Sequence, residues 1–200
     1  MKTLFATGFI VLAAAAGASA QTEKGSLMVG TSLSQLSYST SRGGYSKQFS
    51  IGITPTVGFF VVDRLALGAE VNLAYSTFRY GGFPSSKARA FEYRVAPFAR
   101  YYVVEADKHK FFGQASYGIT GFSTRTTDEL QNSFERKSKG SYSTLAVSVG
   151  YDYFISPMVA LEVQPYYLRN STQLQGARTN NWGVSVGLQI FFPKTAAAAQ

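Results

Sequence analysis

The chain has 200 residues, of which 15% are charged, and it carries no cysteine, a single histidine and a formal net charge of +8. The low charged fraction excludes a charge-rich disordered chain. Without cysteine there is no disulfide framework and no thiolate ligand, and His109 lies in a predicted turn among charged residues. Because no nucleophile has a base beside it in a recognisable pattern, we predict no enzymatic activity and no cofactor.

The first twenty residues have the features of an export signal. Lys2 provides a positive charge, residues 4–16 are apolar but too few to span a bilayer as a helix, and residues 18–20 read Ala-Ser-Ala. We therefore predict a signal peptide over residues 1–20, cleaved after Ala20. The predicted folded domain covers residues 21–192, and residues 193–200 form a short C-terminal tail.

Between Leu65 and Tyr75 every odd residue is apolar and every even residue is small or polar, which is typical of a strand with one oily face. Similar alternations predict eight strands, near residues 26–38, 47–61, 65–79, 90–103, 111–124, 142–154, 159–169 and 181–192. Short connections alternate with long polar ones at 39–46, 80–89, 125–141 and 170–180. The fold class predicted is all-β, an eight-stranded antiparallel up-and-down transmembrane β-barrel.

The two faces of the predicted strands differ in chemistry. One face is aliphatic in mid-strand and aromatic at the strand ends, as lipid contact requires, whereas the other is rich in glycine, serine and amides, which suits a narrow interior. Aromatic pairs next to the short turns are expected to sit at headgroup level. Each of Pro55, Pro97 and Pro165 is expected to mark a bulge or bend, since proline removes a ladder donor.

Charged residues also fall on the predicted interior face. They form a candidate lumen charge network of Glu70, Glu92, Arg94, Arg100, Asp152 and Glu162. One interpretation is an ion path, and the other is a plug of paired opposite charges. The plug is favoured because eight strands enclose little free space. Within it we expect Glu70 to pair with Arg100.

The predicted long loops are basic. Their candidate contact residues, called the basic rim below, are Arg42, Lys87, Arg89, Arg136, Lys137, Lys139 and Arg178. The loops and their flanks also hold Lys47, Arg79, Arg125 and Arg169. Such a rim suits an anionic surface, including the phosphates of lipopolysaccharide, although ordinary solvated loop charge is an equal alternative. Nucleic acid is not expected, because the basic residues do not line one face interleaved with aromatic residues.

Three segments resemble a known family. They are residues 55–71 (PTVGFFVVDRLALGAEV), their echo at 149–163 (VGYDYFISPMVALEV), and the closing strand at 182–192 (WGVSVGLQIFF). The chain resembles the bacterial outer-membrane β-barrel domain family, with small barrels like the membrane domains of OmpX and OmpA. This resemblance implies an outer-membrane location, both termini in the periplasm, and insertion by the outer-membrane assembly machinery. It carries over no functional residue.

Several functions remain open at this point. The preferred one is a structural or surface-interaction role through the extracellular loops, with residues 125–141 as the contact site for an extracellular ligand or host surface. The alternatives are a narrow porin-like channel for small solutes or ions and a soluble lipocalin-like ligand-binding barrel. A lipid-modifying enzyme is disfavoured because the sequence offers no base beside a nucleophile.

Overall fold

The computed structural model describes residues 20–41, 46–81, 85–128, 134–171 and 178–194. These residues form a closed barrel in which each strand pairs antiparallel with its neighbours in sequence and β8 closes onto β1. The strands are β1 Leu27–Thr40, β2 Ser46–Val62, β3 Leu65–Tyr80, β4 Ser86–Ala106, β5 His109–Asp128, β6 Phe134–Phe154, β7 Val159–Ser171 and β8 Arg178–Phe192. The predicted fold class is confirmed.

A single-turn 3₁₀ helix, Ala20–Thr22, precedes β1. No helix among the described residues is long and apolar enough to cross a membrane. The predicted signal peptide, apart from Ala20, and the predicted tail beyond Lys194 lie outside the described residues.

The central strands are longer than the sequence pattern predicts. Strands β4 and β5 pair from Ala106↔His109 up to Ser86↔Asp128, and β5 and β6 pair continuously up to Asp128↔Phe134. The loop predicted over 125–141 is therefore wrong over most of its length, because both of its flanks are paired strand. Hydrophobic alternation ends where the lipid ends, whereas the backbone ladder continues into water with polar side chains.

The two faces are as predicted. Odd-numbered residues of β3 to β6 point outward, except beyond the register shift at Tyr102/Val104 near the end of β4, and large apolar side chains such as Val95, Ile119 and Val149 are exposed there. Even-numbered residues of the same strands point inward and are small, polar or charged, or aromatic near the short turns. This division follows from the two-residue period of a strand, applied to a barrel that meets lipid outside and fills its own interior.

Each of the three prolines is expected to mark a bulge or a bend, and the bulge is absent at all three. All three prolines are exposed on the outer face. The β2–β3 ladder keeps one register across Pro55, from Ile53↔Leu73 to Thr56↔Glu70, and the ladders past Pro97 and Pro165 behave alike. Each proline pairs on its other side, as in Thr31↔Pro55. A proline tolerates this position because only one ladder needs its missing donor.

The irregular positions lie elsewhere. The β1–β2 register shifts between Ser34 and Ser37, where Gln35 has a φ of 57°. Two further shifts, in β2–β3 and β4–β5, lie beside short turns. Bulges at such places bend the strands locally and help the sheet to close.

Candidate functional site

The short-turn end of the barrel, called the base below, is filled with aromatic rings. Its buried cluster includes Met28, Phe60, Tyr102, Phe112, Phe154 and Phe191. Each aromatic pair predicted for the headgroup level is split, since Phe60 and Tyr102 point inward while Phe59 and Tyr101 point outward. Adjacent residues of a strand face opposite ways, so only half of each pair can contact lipid.

Glycine makes room for one of these rings. The Phe112 ring lies against Gly150, where an added Cβ would come within 2.0 Å of Phe112 Cζ. The ring also carries a cation on its face, because the guanidinium carbon of Arg100 lies 3.8 Å from the Phe112 ring centroid. The aromatic layer and the charged layer above it are thus one packed unit.

The segment before β1 folds across the base. The Gly25 amide donates to the Phe60 carbonyl at 2.8 Å, and the Arg64 amide donates to the Thr22 carbonyl at 2.8 Å. Gln21 and Thr22 are buried beneath the barrel, and the Gln21 side-chain amide donates to the Pro157 carbonyl. The base is therefore covered by backbone as well as by side chains.

Lys110, which the sequence pattern places in a turn, is a buried cation. Its Nζ donates to the Thr22 hydroxyl at 3.1 Å and pairs with Glu105 Oε1 at 3.2 Å, and it lies over the Phe154 ring. The Thr22 hydroxyl also donates to Glu105, whose other oxygen pairs with Arg64 Nε at 2.8 Å. The alternation of β5 could have identified Lys110 as buried. Lys110 is even-numbered and continues the inward-facing series of Phe112 and Gln114.

Above the aromatic layer lies a dry ion pair. Arg100 Nη1 and Glu162 Oε2 are 2.5 Å apart, and both side chains are only 1% exposed. Arg100 Nε donates to Gln114 Oε1 at 2.7 Å. Tyr102 donates its hydroxyl to Asp152 Oδ2 at 2.8 Å, while Asp152 Oδ1 has no hydrogen-bond partner among the described residues.

A second, wetter pair lies nearer the middle of the barrel. Arg94 Nη2 and Glu70 Oε1 are 2.8 Å apart, with side chains 12% and 5% exposed. Glu70 also accepts hydrogen bonds from Gln114 Nε2 at 3.0 Å and from the Ser116 hydroxyl at 2.8 Å. The predicted Glu70–Arg100 pairing is wrong. Gln114 lies between the two, accepting from Arg100 and donating to Glu70.

The lumen opens towards the long-hairpin end, called the rim below. A polar waist with a cavity of about 60 Å³ leads up to a cup of about 520 Å³, which is lined by Glu92, Arg94, Tyr142 and Tyr166 among others. Glu92 is half-buried there and forms no ion pair with a described residue. The described residues hold no cluster of three or more His, Asp or Glu side chains placed to bind a metal ion.

The residues of the basic rim do not form one cluster. Lys87, Arg89, Lys137 and Lys139 lie on the outward-facing positions of β4 and β6, whereas Arg136 lies on the opposite face of β6. Arg42 lies outside the described residues, as does the side chain of Arg178. Lys87 lies beyond the apolar part of β4, and partial desolvation together with the charges of Arg79 and Arg89 lowers its pKa.

A closed barrel with an apolar outer face and a polar, ion-paired interior defines a transmembrane β-barrel. The family model described as the outer membrane protein beta-barrel domain matches residues 6–189. The chain therefore belongs to that family and is an outer-membrane protein. In such barrels short turns face the periplasm and long hairpins the outside, so we expect the base on the periplasmic side.

Solved structures of the same fold share little sequence with the chain. OprG of Pseudomonas aeruginosa is 13% identical, covering 87% of this chain and 99% of its own, with a TM-score of 0.54. A major outer membrane protein of Thermus thermophilus is 11% identical over 85% and 100%, with a TM-score of 0.53. Ail of Yersinia pestis, in complex with the heparin analogue sucrose octasulfate, is 11% identical over 84% and 99%, with a TM-score of 0.51. No curated protein matches the chain.

Proposed function

We propose that this protein is a structural and surface-interacting barrel of the outer membrane, which acts through its extracellular hairpins and whose lumen ends blind. The observation that carries the proposal is the closed base. Below the cup, a solute would meet the Arg100–Glu162 pair, the aromatic layer and then the segment over Gln21–Thr22. Several packed layers in series disfavour the alternative of a porin-like channel.

The soluble lipocalin-like alternative has little support. A ligand-binding barrel of that kind turns its apolar face inward. Here the exposed outer face carries the aliphatic residues and the interior holds buried polar groups, including Glu70, Arg100 and Gln189. Exposed apolar surface of this extent is typical of a protein surface that contacts lipid or a partner, not of a soluble monomer.

The hairpin ends are the part of the molecule available to a partner. Strands β4, β5 and β6 extend past the last large outward-facing apolar residues, and the β5–β6 hairpin continues to Asp128 and Phe134. The Ail structure, which contains a heparin analogue, supports a polyanion as one class of extracellular ligand for such a rim. Insertion into the membrane by the outer-membrane assembly machinery is part of this proposal.

Single-channel recording in planar bilayers tests the blind lumen. We expect no unitary conductance from the wild-type protein, because the base is closed by packed side chains and backbone. A matched variant, Phe60→Ala with Phe154→Ala, thins the aromatic layer but leaves the Arg100–Glu162 pair and the Gln21–Thr22 segment in place, so it should also stay closed if it still shows a heat-dependent gel shift. Reproducible unitary conductance of the wild type would overturn the proposal.

A further inference from the structure

Six cations stand in two rows across neighbouring strands near the rim. In the first row Lys47 is the direct partner of Arg79, which in turn is the direct partner of Lys87. In the second row Arg125 lies between Arg89 and Lys137 as the direct partner of both. These six residues are called the cationic strip below.

The strip faces outward from the barrel. Its residues are odd-numbered and continue the outward series of Phe49, Tyr75 and Phe91 without a register shift. Arg89 is two residues beyond Phe91, about 7 Å along the strand. The strip therefore begins directly above the outward aromatic residues, at the level of lipid headgroups rather than over the mouth of the lumen.

Like charges placed directly opposite one another destabilise a sheet, so the strip needs a counter-charge. Among the described side chains only Glu135 provides one, through an ion pair between its Oε1 and Arg125 Nε at 2.5 Å. The other five cations form no ion pair with a described residue. A cleft of about 700 Å³ lies against five of the six, namely Lys47, Arg79, Lys87, Arg89 and Arg125.

We propose that the cationic strip is a binding site for the phosphate groups of a glycolipid in the outer leaflet. Arginine and lysine at this spacing can bind phosphates by charge-assisted hydrogen bonds, which would offset the repulsion between the two rows. A lipid suits the site better than a soluble polyanion, because the side chains face sideways into the headgroup layer. The inference deepens the proposed surface role and rests on the same membrane orientation.

Native mass spectrometry of the intact protein in detergent tests the site, with lipid A as the probe and dephosphorylated lipid A beside it. The test variant is R79Q/K87Q/R89Q. The control variant, K24Q/K108Q/K194Q, removes the same charge from positions outside the strip and outside the basic rim. Each juxtamembrane cation contributes about 1 kcal/mol to binding of anionic lipid, so the test variant should bind lipid A on the order of a hundredfold more weakly.

The wild type and the control variant should both prefer lipid A over its dephosphorylated form, and added salt should weaken that preference. Equal lipid A binding by the wild type and the test variant would overturn the assignment. Equal binding of lipid A and dephosphorylated lipid A by the wild type would overturn it as well. Sucrose octasulfate serves as a third probe. If the test variant no longer binds this soluble polyanion but still binds lipid A, the strip binds a soluble polyanion and the lipid assignment is wrong. Channel recordings are independent of these outcomes, so failure here leaves the blind-lumen proposal standing.

Discussion

The charged side chains at the two ends of this barrel are arranged in opposite ways. At the base every buried charge of the described residues except Asp152 forms an ion pair, as in Arg100 with Glu162 and Lys110 with Glu105. At the rim, like charges lie opposite one another and the described residues leave most of them without an ion pair. The charges of the base are mostly paired within the chain, whereas the cations of the rim need counter-charges from outside the chain.

Dielectric environment explains the difference. A dry interior makes an unpaired charge very costly, so the chain must carry both partners. Water and counter-ions at the surface screen repulsion, so the rim can hold an excess of cations at small cost and use it for recognition. Stability should therefore depend on the base, and interaction on the rim.

The largest effect should come from breaking the dry pair. Arg100→Ala leaves Glu162 buried without its cation and removes the guanidinium from the Phe112 face. We expect a loss of about 3–5 kcal/mol in the free energy of unfolding. The measurement is the temperature at which the folded, fast-migrating band is lost on a gel in detergent.

A double variant separates the effect of the unpaired charge on stability from the effect of lost packing. Arg100→Met with Glu162→Leu replaces the pair by apolar side chains of similar size, which often restores stability. It should recover most of the loss. If Arg100→Ala unfolds at the wild-type temperature, the base is not the stabilising end and the contrast between the two ends fails.

The wetter pair should matter less. Glu70→Ala removes the partner of Arg94 and an acceptor from Gln114 and Ser116, but water from the cup can reach Arg94. We expect a loss of about 1–3 kcal/mol in the free energy of unfolding. Urea titration of the protein in lipid vesicles measures it. Glu70→Gln, which keeps an amide oxygen as acceptor, should retain part of the stability, and a loss as large as that of Arg100→Ala would contradict the gradient from base to rim.

The sequence predicted the strands and their faces because the two-residue period is local and is fixed by lipid outside and packing inside. It could not predict which carboxylate meets which guanidinium. Glu70 and Arg100 have similar depth, yet strand register and the intervening Gln114 bring Glu70 to Arg94. The sequence pattern also predicts the wrong environment for Phe60, Tyr102 and Lys110, which are buried. For these residues the alternation along the strand is a better guide than nearness to a turn.

The rim was the least predictable part. Two basic rows arise only when β2 to β6 are set in register, because each row takes its cations from three neighbouring strands. Where β5 and β6 extend beyond the lipid, the sequence has no apolar alternation from which the strands could be predicted. Loop position alone therefore groups the seven residues of the basic rim, although Arg136 faces away from its neighbours.

The smallest effect on stability, and the sharpest test of the rim, should come from Glu135→Gln. The pair between Glu135 and Arg125 is exposed, with side chains 40% and 54% accessible, so its loss should change the free energy of unfolding by less than about 0.5 kcal/mol. Lipid A binding should nevertheless become a few-fold tighter, because the one described acid beside the strip no longer competes for Arg125. Native mass spectrometry and urea titration of the same sample measure both quantities. Weaker lipid binding would mean that Glu135 holds Arg125 in a binding geometry, and the strip would then act as a positioned site instead of a simple excess of charge.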